Sequence, residues 1–166
     1  MEIVKLAVEW AKAEVFSARF FILFALLFLI ASIGFWQLGK TATAKAYIIP
    51  TLVAGLLLMA VGLGIYVTNK SRVTSFVKAY EDNPTTFVQS EIARTQKSMN
   101  EYKTIVFKVI PFIIVAAALT IVFVDKPLWR AICITTIGMM MVILMVDSNA
   151  NARIEAYHKQ LVLANQ

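Results

Sequence analysis

The sequence predicts an all-α polytopic membrane protein. Four membrane-crossing helices form a bundle of two antiparallel hairpins, with helical extensions on the cytoplasmic side. Three observations carry this. Of 166 residues, 60% are hydrophobic and 16% charged, against about 25% charged in an ordinary soluble domain. A soluble core of this size cannot bury so much apolar surface. The apolar residues also fall into four runs, each near the ~20 residues that a bilayer core requires. Finally, one long polar stretch, from Thr68 to Lys108, lies between two pairs of such runs.

Residues 1–17 read as an amphipathic leader helix. Ile3, Leu6, Trp10 and Ala13 recur at helical spacing, and Lys5, Glu9, Lys12 and Glu14 lie off that stripe. The mixed charge favours packing on protein over lying on lipid, because lipid-binding helices are more uniformly basic. Ala42-Thr43-Ala44 has the look of a signal cleavage site. The apolar run before it is too long for a signal core, and the leader carries three glutamates, so no cleavage is expected.

The first span is 20–37. Arg19 can snorkel outward at one end, and Trp36 suits the opposite interface. Ser32 and Gly34 permit close helix approach. The second span, 47–67, tolerates Pro50 in its first turn. Gly55 and Gly62 are seven residues apart, so they share a face and are candidate helix-packing positions.

Residues 69–104 read as a cytoplasmic helical hairpin. Asp82-Asn83-Pro84 breaks it, with Asn83 as cap and Pro84 at the first helical position. One long helix is expected to run from Pro84 through the third span, 105–124, with a kink at Pro111. Val88, Ile92, Thr95, Met99, Tyr102 and Val106 step by four and three, a heptad-like seam. Asp125-Lys126-Pro127 turns the chain into the fourth span, 128–146. Its methionines, Met139, Met140, Met141 and Met145, suit adaptable packing. The tail, 147–163, continues as a helix and carries the seam through Ile154, Tyr157 and Leu161.

Four spans place both termini on one side. Most Lys and Arg residues share that side, and only Lys40, Lys45, Lys126 and Arg130 lie opposite. The positive-inside rule makes the termini and the central stretch cytoplasmic, in a bacterial inner (plasma) membrane. The two halves share a layout of polar helix, span, turn, span, polar helix, which suggests a duplication of hairpins.

Chemistry is sparse. The net charge of +6 suits anionic headgroups, and no nucleic-acid signature accompanies it. Cys133 stands alone, so no disulfide or CxxC pair exists within the chain. The spans hold no Asp, Glu or His in their middle, which argues against a proton pump. The one histidine, His158, lies in the tail, where it cannot serve a haem within the bilayer. No phosphate loop, HExxH or GxSxG motif occurs. No catalytic residue, metal ligand or cofactor is expected.

One polar constellation remains, at the cytoplasmic rim: Lys70, Arg72, Lys108, Asp147 and Arg153. These are expected as ion pairs, Asp147 with Lys70 or Lys108, or as headgroup contacts. The leading functional expectation is a non-enzymatic subunit or scaffold of a membrane complex. It would dock partners through a seam of Val88, Ile92, Met99, Tyr102, Ile154 and Tyr157. Expected partners are membrane lipids and other membrane subunits or further copies of the chain. The alternatives are an oligomeric channel or transporter, and a lipid-headgroup-modifying enzyme built around Asp147.

Overall fold

The structure, a computed structural model, describes residues 2–165. The chain is all-helical: α1 (Glu2–Leu38), α2 (Ala42–Ala46), α3 (Ile48–Asp82), α4 (Pro84–Glu101), a π-helical segment (Tyr102–Val109), α5 (Ile110–Phe123) and α6 (Pro127–Ala164). Together they make four long rods. Each is long and apolar enough to cross a membrane. The rods have 37, 41, 40 and 38 residues, so each extends about 55–60 Å, nearly twice the ~30 Å of a bilayer core. Every rod is therefore apolar over one half and polar over the other.

α1 runs without interruption from the leader into the first apolar run. Its buried face is a stripe of small residues, with Ala7, Ala11, Ala18 and Ala25 all fully buried. Glu14 and Ser17 lie on this stripe. That corrects the expectation that Glu14 sits off the packing face. The true stripe is Ala7, Trp10/Ala11, Glu14, Ser17/Ala18, Phe21 and Ala25, rotated from the one drawn through the larger apolar residues.

Small side chains let α1 and α3 approach closely. A Cβ on Gly55 would stand 2.8 Å from Leu29 Cγ, and one on Gly62 would stand 2.9 Å from Phe21 Cβ. Ser32 Oγ donates to the Ile48 carbonyl at 2.8 Å. Around this pair the apolar-half core gathers Phe21, Ala25, Leu58, Val142 and Val146.

The apolar half is not an even four-helix ring. α1, α3 and α6 touch one another, whereas α5 touches only α6 and the π-helical segment that precedes it. α5 contains no glycine, and it buries only Ile110 and Ala117. It lacks the long small-residue stripe that brings α1 and α3 together.

The segment Tyr102–Val109 is π-helical rather than a continuation of an α-helix kinked at Pro111. Pro111 has no N–H, so the α-helical ladder cannot close through it. The backbone widens one turn earlier, and the Ile110 N–H reaches back five residues to the Ile105 carbonyl.

In the polar half, α1, α3, α4 and α6 share a second core built on Trp10, Phe76, Phe87, Val88, Ile154 and Tyr157. Trp10 stacks on Tyr157 with centroids 5.6 Å apart, and Phe76 meets Phe87 edge-on at 5.5 Å. Asn83 separates α3 from α4, and its side chain accepts from the Thr86 N–H at 2.9 Å.

Candidate functional site: a charged cavity between the apolar and polar halves

Where the two cores meet, the rods leave a cavity of about 270 Å³. Phe21, Ile65 and Val146 line it with apolar surface. Trp10 and Glu14 of α1, Arg72 of α3, Arg94 of α4, Tyr102 of the π-helical segment and Asp147 of α6 line it with polar groups. Four rods thus bring charge to one point, although their charged residues are far apart in sequence.

Two ion pairs frame the cavity. Arg153 donates from Nε and Nη2 to Glu14 Oε1 at 3.0 and 2.9 Å, and its Nη2 also donates to Ser17 Oγ at 2.8 Å. Arg94 donates from Nε and Nη2 to the two oxygens of Glu91, each at 2.7 Å. The Tyr157 hydroxyl adds a bond to Glu91 at 3.0 Å. Glu14 and Glu91 are both buried. In each pair one guanidinium offers two donors to one carboxylate.

Trp10 is the platform between these pairs. The Arg94 guanidinium carbon lies 4.4 Å from its ring centroid and that of Arg72 lies 5.8 Å from it. Arg72 Nη1 donates to Asn69 Oδ1 at 2.9 Å, and Asn69 Nδ2 donates to the Ile65 carbonyl at 2.9 Å. A turn of α3 thereby orients Arg72.

Two charges in the cavity are left over. Among the described residues, neither Arg72 nor Asp147 makes an ion pair. Burial lowers the pKa of Arg72, and the guanidinium of Arg94 lowers it further. Burial also raises the Asp147 carboxyl to about 6, with the Glu14 charge adding to the shift. Tyr102 is raised too, by burial first and then by the charges of Asp147 and Glu14. The Trp10 indole Nε1, fully buried, has no hydrogen-bond partner among the described residues.

The residues singled out in the sequence divide into three groups. Arg72 and Asp147 line the cavity, and Arg153 flanks it through Glu14. Lys70 and Lys108 are exposed; Lys70 lies over the Tyr66 ring at 5.6 Å. Among the described residues no ion pair joins Asp147 to either lysine. Gly55 and Gly62 face α1.

The seam residues turn inward. Val88, Ile154 and Tyr157 are buried, and Ile92, Met99 and Tyr102 pack against them half-buried. The chain's own helices cover the surface that was read as a docking face. The apolar stripes of α1, α3, α4 and α6 are mutually complementary, so each removes the others' apolar area from water.

Trp10, Glu14, Glu91 and Arg94 were missed as site residues. The available signal was positional. Glu14 stands four residues after Trp10 and four before Ala18, in register with a small-residue stripe. Glu91 stands between Val88 and Thr95, in register with the seam.

Among the described residues, no three His, Cys, Asp or Glu side chains gather closely enough to hold a metal ion. No family model matches the chain, and neither a curated protein nor a solved structure is similar to it.

Proposed function

We propose that this is a non-enzymatic integral membrane protein that holds a small charged ligand in the cavity at its cytoplasmic rim. In this reading the four apolar halves cross a bacterial inner membrane as two antiparallel hairpins, and both termini and the polar halves lie in the cytoplasm. The excess of Lys and Arg on the polar halves supports that orientation.

One observation carries the ligand reading. Glu14 with Arg153 and Glu91 with Arg94 are paired, whereas Arg72 and Asp147 face the same cavity unpaired. Partly buried charges without partners cost stability. A bound molecule that supplies the missing partners offsets that cost. The cavity lies just below the ~300–1,000 Å³ usual for small-molecule sites, so the ligand is small or enters by one end only.

The test is native mass spectrometry of the full chain extracted from its own membranes in mild detergent. Wild-type protein is expected to retain a bound small molecule or lipid that Arg72→Gln loses. A bare wild-type protein, or one whose retained mass is indifferent to Arg72→Gln, contradicts the reading.

A second reading keeps the expectation of a membrane subunit but moves the contact. α5 has α6 as its only neighbouring long rod, and it leaves Phe112, Leu119, Val122 and Phe123 exposed. A second copy of the chain seated along α5 would give it the neighbour it lacks. Val115→Cys, on this face, is expected to form a disulfide between copies in native membranes. Absence of such a dimer contradicts this reading and leaves the ligand reading untouched.

A further inference from the structure

The two unpaired charges have opposite sign, and they sit on different rods. Arg72 belongs to α3 and Asp147 to α6, and both line one cavity without reaching each other. A purely anionic ligand would answer Arg72 and aggravate Asp147. A purely cationic one would do the reverse. Only a molecule carrying both signs completes the site.

Each of the two charges has a like-charged neighbour in the cavity lining. Arg72 shares the Trp10 ring with a second guanidinium, Arg94, whose Nε and Nη2 donate to Glu91, and Arg72 also feels the charges of Glu91 and Glu14. Two neighbouring guanidiniums favour an oxyanion with several acceptor oxygens, and a planar guanidinium matches phosphate well. Asp147 shares the cavity lining with Glu14, a second carboxylate whose charge it feels. Two carboxylates in a partly buried site favour a cation with several N–H donors, which an ammonium supplies.

Position adds a further constraint. The cavity lies at the boundary between the apolar and polar halves, with Phe21, Ile65 and Val146 toward the apolar side. It lies across a gap, because Gly64 and Thr68 of α3 and Tyr102 of the π-helical segment all line it, yet α3 touches neither that segment nor α5. A lipid could place its headgroup in the cavity and lead its chains out through the gap.

We propose that the cavity takes a ligand carrying a phosphate and a primary ammonium, the chemistry of an ethanolamine phosphate, with its phosphate on Arg72 and its ammonium between Glu14 and Asp147. This rests on the reading of the cavity as a ligand site. The same chemistry arrives either on a phospholipid or as a free small molecule, and the test separates the two.

The full chain in mild detergent is titrated with phosphatidylethanolamine, phosphatidylcholine, phosphatidylglycerol, free phosphoethanolamine and inorganic phosphate, with thermal unfolding as the readout. Phosphatidylethanolamine is expected to raise the midpoint saturably, with the choline and glycerol lipids weaker by about ten-fold or more. A matching response to free phosphoethanolamine identifies a soluble ligand, and its absence identifies the lipid. Arg72→Gln and Asp147→Asn should each weaken the ethanolamine probe. Asp147→Asn should not weaken phosphatidylglycerol.

Gly64→Leu is the variant that guards against misfolding. Gly64 lines the cavity and a Cβ there meets nothing within 4 Å, so a larger side chain starts from open space. The variant should leave the unliganded midpoint no lower than that of the wild type and abolish the ethanolamine response. If phosphatidylglycerol or phosphate binds as tightly as the ethanolamine probes, and Asp147→Asn is silent, the zwitterion proposal fails while the cavity remains an anion site. If none of the probes shifts the midpoint, the proposal fails. If, in addition, the mass retained in native extracts survives Gly64→Leu, the reading of the cavity as a ligand site fails with it.

Discussion

At the scale of single residues, the outcome turns on which charges have partners. Glu14 has one, and its side chain is only 8% exposed. Glu14→Gln leaves the Arg153 guanidinium facing a neutral amide in a mostly buried place. That should cost about 1–3 kcal/mol, read as a lowered thermal midpoint. The Lys97–Glu101 pair is the contrast, at 4.0 Å and largely exposed. Glu101→Gln should leave the midpoint unchanged, because solvent screens such pairs. Asp147 has no partner, and its response depends on pH. Its carboxyl titrates at about 6 when folded, against an ordinary 3.8. Between those values the folded chain keeps a proton that the unfolded chain has released. Stability from this group is therefore highest near the lower value, falls as pH rises toward about 6, and stays low above it. Glu14 of α1 and Tyr102 of the π-helical segment face Asp147, and neither relieves its charge. Asp147→Asn should raise the midpoint of the ligand-free protein at pH 7.5, with the gain vanishing toward pH 4. A gain equal at both pH values would show that the charge of Asp147 is not what burial penalises.

At the scale of elements, the α1–α3 contact separates glycines that matter by closeness from those that do not. Gly62→Ala puts a methyl group 2.9 Å from Phe21 Cβ and 3.2 Å from the Ile22 backbone nitrogen, so a helix must shift. Overpacking of this kind costs about 1–3 kcal/mol, more than the ~0.5–1 kcal/mol that alanine returns in helix propensity. Gly64→Ala meets open space and should keep only the propensity gain. Thermal midpoints of the two variants should therefore move in opposite directions. Much of this level was legible in the sequence. Apolar runs of about 20 residues read directly as four long helices, since a membrane-spanning β-strand needs only about 9–11. Two features were not. The π-helical segment is a response to Pro111 spread over the preceding turns, and sequence spacing alone does not distinguish a kink from a widening. The buried stripe of α1 consists of alanines, with a serine and a glutamate among them. The apolar spacing of Ile3, Leu6, Trp10 and Ala13 predicts a helix face that leaves Glu14 outside. Of the site itself, Arg72, Asp147 and Arg153 could be placed near one rim by counting from the ends of the apolar runs. Glu91 and Arg94 join it only because α4 folds back alongside Trp10, which is a tertiary fact.

At the scale of the whole molecule, four rods nearly twice as long as a bilayer is thick make one apolar layer and one polar layer, with a charged cavity between them. The polar layer is closed on itself by a core that all four rods share, with its seam residues buried or half-buried against one another. The apolar layer is open along α5. The proposed function depends on the apolar layer lying in the inner membrane and the polar layer in the cytoplasm. Lys40 sits at the apolar end of the rods and Lys97 on the polar half, and both are exposed. Labelling of Lys40→Cys and Lys97→Cys with a membrane-impermeant maleimide, in right-side-out and inverted inner-membrane vesicles, tests that placement directly, with buried Cys133 alone as the background. Lys40→Cys should label only in right-side-out vesicles and Lys97→Cys only in inverted ones. The reverse pattern, or labelling of both from the same side, would contradict the account.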